Sequence, residues 1–245
     1  PDHRRPRPRV TADSLLTALR TGLNAHADPM RAVQQQAYMK SALPYRGVTA
    51  PELRRVARPL IRANPLDRAE FEAAIRTLVD RPVAREDYYL ALEIARHRVH
   101  ASLQTPDLLP LYRHVVVATA WWDVVDATAG DLIGSIVQRY PEQKALMRAW
   151  AVDDDLWLRR TAILCQLGWR DGTDTALLAE VIEANVEGTI FGSVFWIRKA
   201  IGWSLRQYAR TDPEWVREFV AAHVGHLSGL SRREALKHVE AGPSS

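Results

Sequence analysis

Apolar residues recur at spacings of three and four along nearly the whole chain, and that period constrains the fold more than any other feature. In 67–80 (DRAEFEAAIRTLVD) Phe71, Ala74, Ile75 and Leu78 fall on one face of an amphipathic helix. Leu15, Leu16, Leu19 and Leu23 do the same in 11–24, as do Tyr88, Leu92 and Ala95 in 84–98 and Leu177, Val181 and Ile182 in 173–185. No sustained alternating, β-branched segment is bounded by hairpin turns. The best strand candidate, His114 to Thr119, runs straight into a longer helical pattern. The expected class is all-α.

Helix starts are marked by chemistry as well as by period. Thr49-Ala-Pro-Glu52 offers a cap hydroxyl, an early proline and a carboxylate that can return to the cap amide. Thr211-Asp-Pro-Glu214 repeats the arrangement, and Ser231-Arg-Arg-Glu234 has the box without the proline. Breaks at Arg81-Pro82, Gln104 to Pro106, Tyr140-Pro141 and Gly168 to Thr173 are short, so sequential helices are expected to be antiparallel neighbours. The rhythm corresponds to roughly a dozen helices of about 10 to 18 residues, paired or tripled every ~35 to 45 residues, as in HEAT-like solenoids. An irregular helical bundle fits the same rhythm. No internal linker is long or polar enough to divide the chain. The expectation is a single domain over 11–241, preceded by a basic arm (1–10) and followed by a short tail (242–245).

Composition excludes several classes. The chain has 245 residues, 47% hydrophobic and 25% charged, which rules out a mainly disordered polymer. No stretch approaches the ~20 apolar residues of a membrane span. No apolar signal core follows the basic N-terminus, and the single cysteine, Cys165, allows no intrachain disulfide and no cysteine-rich zinc site. A reducing, cytoplasmic setting without a membrane partner is expected. The net charge of +4 permits an anionic partner without requiring one. Arg4, Arg5, Arg7 and Arg9 lie among Pro1, Pro6 and Pro8, an arm that could reach a phosphate backbone or simply stay solvated.

Phosphate loops of the GxxxxGK[ST] kind, GxGxxG after a strand, and HExxH are all missing. His97 with His100, and His223 with His226, stand three apart but have no third ligand nearby in sequence, so packing or surface roles are expected rather than metal. Cys165 lies in an apolar stretch that reads as a packed thiol. The segment WWDVVD (121–126) is the most distinctive. On a helix Trp122 and Asp126 stack on one face, with Trp121 and Val125 in the adjacent register. Either these residues are ordinary half-buried packing, or they form an aromatic wall with an acceptor that could hold a cationic or sugar-like group. In WIRKAIGWSLRQYAR (196–210) Lys199, Trp203, Arg206 and Arg210 form a basic stripe interleaved with an indole, as nucleic-acid surfaces do. DLWLRRTAILCQ (155–166) adds Arg159 and Arg160, one expected to point outward. In AYMKSALPYRGV (37–48) Tyr38 and Lys40 end one helix before a turn. That turn is either a phosphate site at the next helix N-terminus or a plain connection.

Taken together, these blocks resemble the AlkD family of bacterial DNA glycosylases. The resemblance is carried by AYMK and the following P-x-x-G-V-T-x-P-E (37–52), WWDVVD (121–126), LWLRRTAIL (156–164), IRKAIGWSLRQYA (197–209) and LSRREALKHV (230–239), and covers about residues 12 to 240. It implies a curved solenoid of HEAT-like repeats that binds duplex DNA and removes cationic N3- and N7-alkylated purines without flipping the base into a pocket. It further implies that Trp122, Asp126 and Trp203 surround the deoxyribose, that Arg160 contacts DNA with Arg206 and Arg210 as further backbone contacts, and that Tyr38 lies near the lesion. The implied enzyme is a monomeric, monofunctional glycosylase that needs no metal and no organic cofactor. Two other readings remain: a glycosylase specialised for bulky adducts such as those of alkylating antibiotics, and a non-catalytic HEAT-like DNA-binding module. A carboxylate facing DNA repels phosphate, which favours catalysis over binding alone.

Overall fold

The computed structural model describes residues 11–237 and 239; the basic arm and the tail lie outside the described residues. Among the described residues there is no strand, and fourteen α-helices of six to fourteen residues form a HEAT-like, all-helical arrangement. The chain divides into two compact units, one ending at Gln104 and the other starting at Thr105. No helix among the described residues is long and apolar enough to cross a membrane.

The first unit holds α1 (Ala12–Asn24), α2 (Pro29–Met39), α3 (Ala50–Ala63), α4 (Arg68–Asp80) and α5 (Glu86–Arg96). Its core is the periodic set read from the sequence. Leu15, Leu16, Leu19 and Leu23 of α1 meet Leu53, Ala57 and Ile61 of α3 and Phe71, Ala74, Ile75 and Leu78 of α4, all buried. Each large side chain so buried contributes about 1.5–3 kcal/mol of transfer free energy. The capping box at Thr49 forms as expected: the Thr49 amide donates to Glu52 at 2.8 Å, and the Glu52 amide donates back to the Thr49 hydroxyl at 3.4 Å. Those bonds from Thr49, with Arg31 beside them, hold the Glu52 carboxyl down at about 2.

The turn ahead of α3 is not an open phosphate site. The amides of Arg46, Gly47 and Val48 all donate to the fully buried carboxylate of Glu86, at 2.8, 3.0 and 3.2 Å, so an internal anion already fills the amide nest. Gly47 is required there: its φ is +83°, and a β-carbon would lie 2.0 Å from the Asp28 carbonyl oxygen. Arg46 itself reaches Asp87 at 3.0 Å. His100, fully buried, accepts from the Leu66 amide and bonds the Ile94 carbonyl, a structural role.

The second unit comprises α6 (Leu109–Thr119), α7 (Trp122–Ala127), a π-helical turn (Thr128–Ile133), α8 (Gly134–Arg139), α9 (Lys144–Trp150), α10 (Leu156–Leu164), α11 (Thr175–Glu183), α12 (Phe195–Tyr208), α13 (Pro213–Ala222) and α14 (Gly229–Leu236). The strand candidate at His114 is thus the end of α6. Helix α10 is the hub, packed by α6, α7, α9, α11 and α12. All of its residues from Trp157 to Leu164 are buried, Arg159 and Arg160 included. The Cys165 thiol follows it, fully buried, pushed up to about 12 by burial and donating to the Ala162 carbonyl. Two caps differ from expectation. Asp212, not Thr211, caps α13, accepting from the Trp215 amide at 2.9 Å, because Pro213 occupies the first helical position. Ser228, not Ser231, caps α14; Ser231 lies buried inside that helix and donates to the Arg198 carbonyl at 2.9 Å.

Candidate functional site

Helix α7 is one and a half turns long and starts on Trp121 in extended conformation. Val124 and Val125 are fully buried and fix its inner side, which leaves Trp122 and Asp126, one turn apart, half-buried on the other. The helix does not stop after Asp126 but widens into the π-helical turn and re-tightens as α8. The Thr128 hydroxyl donates to the Val124 carbonyl at 2.8 Å across this junction. At Gly134 a β-carbon would lie 2.0 Å from the Cys165 carbonyl oxygen, and Trp169 Nε1 donates to the Gly134 carbonyl at 3.2 Å. The widened helix is thereby held close against the C-terminal end of α10.

That docking brings Asp126 to Arg160. Arg160 Nε donates to one carboxylate oxygen at 2.7 Å and Nη2 to the other at 2.8 Å, a fork-to-fork pair between side chains 5% and 12% exposed. A third guanidinium N–H donates to the Trp196 carbonyl, and the guanidinium lies over the Trp196 ring, 5.8 Å from its centroid. Burial pushes the Asp126 carboxyl above its ordinary value; the Arg160 bonds and charge oppose this, and Asp123 adds to it. The fork matches an ionised carboxylate, so the pair keeps a buried negative charge at neutral pH. Around it stands a run of rings. Trp121 meets Trp157 and Trp196 at 6.2 and 5.4 Å, Trp196 meets Trp157 at 5.9 Å, and Phe195, 53% exposed, packs edge-on against Trp196 at 5.1 Å. Trp121 Nε1 is buried in this cluster without a hydrogen-bond partner.

The other expected residues are distributed as follows. Trp203 is half-buried on α12, seven residues beyond Trp196 and so about two turns along the same side. Arg206 does not stand free: it donates to the Glu234 carboxylate, which also accepts from Lys199 at 3.2 Å. Burial alone would raise the Glu234 carboxyl, but Lys199, Arg206 and Lys237 together hold it below its usual range. Glu234 reaches these cations because Gly202 lets α14 approach closely; a β-carbon there would lie 2.6 Å from Glu234 Cβ. Arg210 is exposed and lines a cavity of about 420 Å³ together with Arg170, Gln207 and Tyr208. Tyr38 lies in the first unit, 78% exposed near the end of α2. Arg159, unlike the outward arginine expected of that pair, points inward, bonding the Asp153 and Val152 carbonyls at 2.5 and 3.2 Å and lying over Phe191. Sequence reasoning missed the Arg160–Asp126 fork, the Trp196 ring beneath it and the Glu234 clamp. WWDVVD, LWLRRTAIL, WIRKAIGWSLRQYAR and LSRREALKHV contained Asp126, Arg160, Trp196 and Glu234 but not the pairing.

Comparison with known proteins bears on this arrangement. A family model described as DNA alkylation repair enzyme matches residues 19–239. A solved structure described as a predicted DNA alkylation repair enzyme from Enterococcus faecalis is similar at 29% identity and a TM-score of 0.78, over 88% of this chain and 98% of that one. A search among curated proteins returns no match. The family model spans both units and every expected site residue, and the chain belongs to the DNA alkylation repair enzyme family.

Proposed function

We propose that this protein is a DNA glycosylase that hydrolyses the N-glycosidic bond of cationic N3- and N7-alkylated purines in duplex DNA, without extruding the base. The observation that carries the reading is the Asp126 carboxylate, buried beside Trp122 and held at both oxygens by Arg160. A carboxylate at a DNA surface weakens phosphate binding, so its presence there favours chemistry over binding alone. An alkylated purine already bears a positive charge. When its bond to C1′ breaks, the electron pair neutralises the base, which therefore needs no general acid. The deoxyribose is left as an oxocarbenium ion. A preorganised anion stabilises that charge more effectively than water, because it need not reorient as the charge develops.

Asp126 then orients the water whose oxygen bonds to C1′ and takes up or passes on its proton. Arg160 keeps the carboxylate ionised and fixed in rotamer, a positioning role. Trp122 and Trp203 present ring faces to the polarised C–H edges of the sugar, a weak additive contribution. Water as the nucleophile makes the enzyme monofunctional. Tyr38, Arg206 and Arg210 act on the DNA itself.

A second reading within the same chemistry is removal of bulky adducts. It is favoured by the aromatic run from Trp121 through Trp196 to the exposed Phe195, which could stack a flat substituent. The test incubates the protein with a duplex carrying a single 7-methylguanine, followed by alkali, with Asp126→Asn in parallel. Strand breaks from the wild type alone support the proposal; equal breaks from both remove Asp126 from it. No breaks from either, with tight DNA binding retained, favour the bulky-adduct or binding-only reading.

A further inference from the structure

The first unit contains a concentration of positive charge that the site around Asp126 does not use. A cavity of about 420 Å³ is lined by Arg58 and Arg62 from α3, by Glu93 and Arg96 from α5, and by His97 and Arg98 just beyond α5. Four guanidiniums face one carboxylate. Glu93, 3% exposed, accepts from Arg58 Nε at 3.1 Å and lies 3.5 Å from Arg96 Nη2. It anchors those two side chains and leaves the outer N–H groups of Arg58 available. Arg62 and Arg98 are exposed and form no ion pair among the described residues. His97 Nδ1 accepts from the Val99 amide at 3.3 Å, which puts the ring proton on Nε2 as a further donor.

Helix dipoles account for only part of this charge. Arg62 and Arg96 lie in the last turns of α3 and α5, where cations are favourable. Arg98 is the first residue of a 3-10 helix (Arg98–Leu103), where a cation is unfavourable, and Arg58 is in the interior of α3. Burial and the nearby Arg98, Arg58 and Arg62 hold the His97 imidazolium below its ordinary value, as expected where positive potential accumulates. Arg62 and Arg98, with the His97 Nε2–H, line this one cavity beside the Glu93-held Arg58 and Arg96, and such a donor set matches a tetrahedral oxyanion.

We propose that the pocket formed by Arg58, Arg62, Arg96, His97 and Arg98 binds a backbone phosphate of duplex DNA, a contact separate from the Asp126 site. The inference rests on DNA being the partner, not on the glycosylase chemistry. It is tested with undamaged duplex, so the presence or absence of excision does not affect it. Binding is measured by fluorescence anisotropy across a salt series for the full chain and for Arg62→Gln/Arg98→Gln, while the His97 ring is followed by NMR during titration with duplex or with inorganic phosphate. The expected result is a salt slope reduced by about one in the double variant. A His97 resonance that shifts with duplex at concentrations where phosphate leaves it unmoved, and a slope restored in Arg62→Lys/Arg98→Lys, complete the expectation. The Lys variant separates lost charge from damaged folding. An unchanged slope with a silent His97 overturns the proposal. A His97 shift with inorganic phosphate alone, with the slope unchanged, assigns the pocket to free phosphates and overturns the DNA contact.

Discussion

Replacing Arg160 by methionine separates the two roles that this side chain could have. In the structure its guanidinium makes three hydrogen bonds, two to the Asp126 carboxylate at 2.7 and 2.8 Å and one to the Trp196 carbonyl. Methionine keeps much of the apolar stem and removes all three. Removing one partner of a buried ion pair costs about 3–5 kcal/mol, because the other charge is left without compensation. Asp126 can escape part of that cost by taking up a proton. Its folded pKa already lies above the unfolded value through burial, and losing Arg160 raises it further. A carboxyl raised in this way contributes stability that is complete below the unfolded pKa and is lost as pH rises through the folded pKa. The Arg160→Met deficit, read from urea unfolding, is therefore largest at alkaline pH. It shrinks on acidification toward the ~1–2 kcal/mol expected for the lost bond to Trp196 and the ring contact. Single-turnover excision at saturating duplex falls as well, most at neutral pH and less at alkaline pH, where the variant's carboxyl is again ionised. A deficit of equal size at both ends of the pH range would refute the reasoning, since Arg160 would then not act through the charge on Asp126. Weaker DNA binding with an unchanged saturating rate would instead make Arg160 a phosphate ligand.

Asp126→Asn keeps the shape of the side chain but leaves the Arg160 guanidinium without its counter-charge, so melting should show a loss of about 3–5 kcal/mol while excision by the folded variant falls by at least about a hundredfold; an unchanged thermal midpoint would contradict the buried ion pair. Gly202→Ala should cost about 1–3 kcal/mol by overpacking α12 against α14 and should weaken DNA binding together with Arg206→Gln, both read by melting and anisotropy. Additive effects of the two on binding would disconnect Arg206 from the Glu234 clamp. Cys165 should resist a thiol reagent in the native protein and react on unfolding in urea, because its thiol is fully buried and pushed up to about 12; rapid native modification would contradict that placement.

Much of the fold was legible because the apolar period and the cap chemistry are local. Leu15 to Leu23, Phe71 to Leu78 and the Thr49 box are settled within a dozen residues, and the structure repeats them. The pairing of Trp122 with Asp126 on one face was legible for the same reason. Orientation on α10 was not. Five helices surround it, so no solvent-facing side exists for either arginine, and this depends on partners from residue 109 to residue 208. The charge stripe on α12 was visible, but its neutralisation by Glu234 depends on the tight crossing of α14 at Gly202. The π-helical turn escaped notice because TAGDLI has an apolar pattern that suits an ordinary helix equally well.

That turn also sets how the site tolerates change in length. A π-helical turn accommodates one residue more than α-helical winding would, and each residue of an α-helix advances the azimuth by about 100°. Deleting any one residue between Thr128 and Ile133 would let the helix wind regularly from Trp122 to Arg139. About six π-helical residues turn through nearly the angle of five α-helical ones, so Asp126 would still face Arg160 after that single deletion. A second deletion has no wide turn left to absorb it: with Gly134 still held at Cys165, it would rotate the N-terminal half by roughly a quarter turn and carry Asp126 away from Arg160, with no substitution at either residue. Spacing here carries information of its own, and a homologue that keeps both residues but lacks two positions between them would have the ingredients without the geometry.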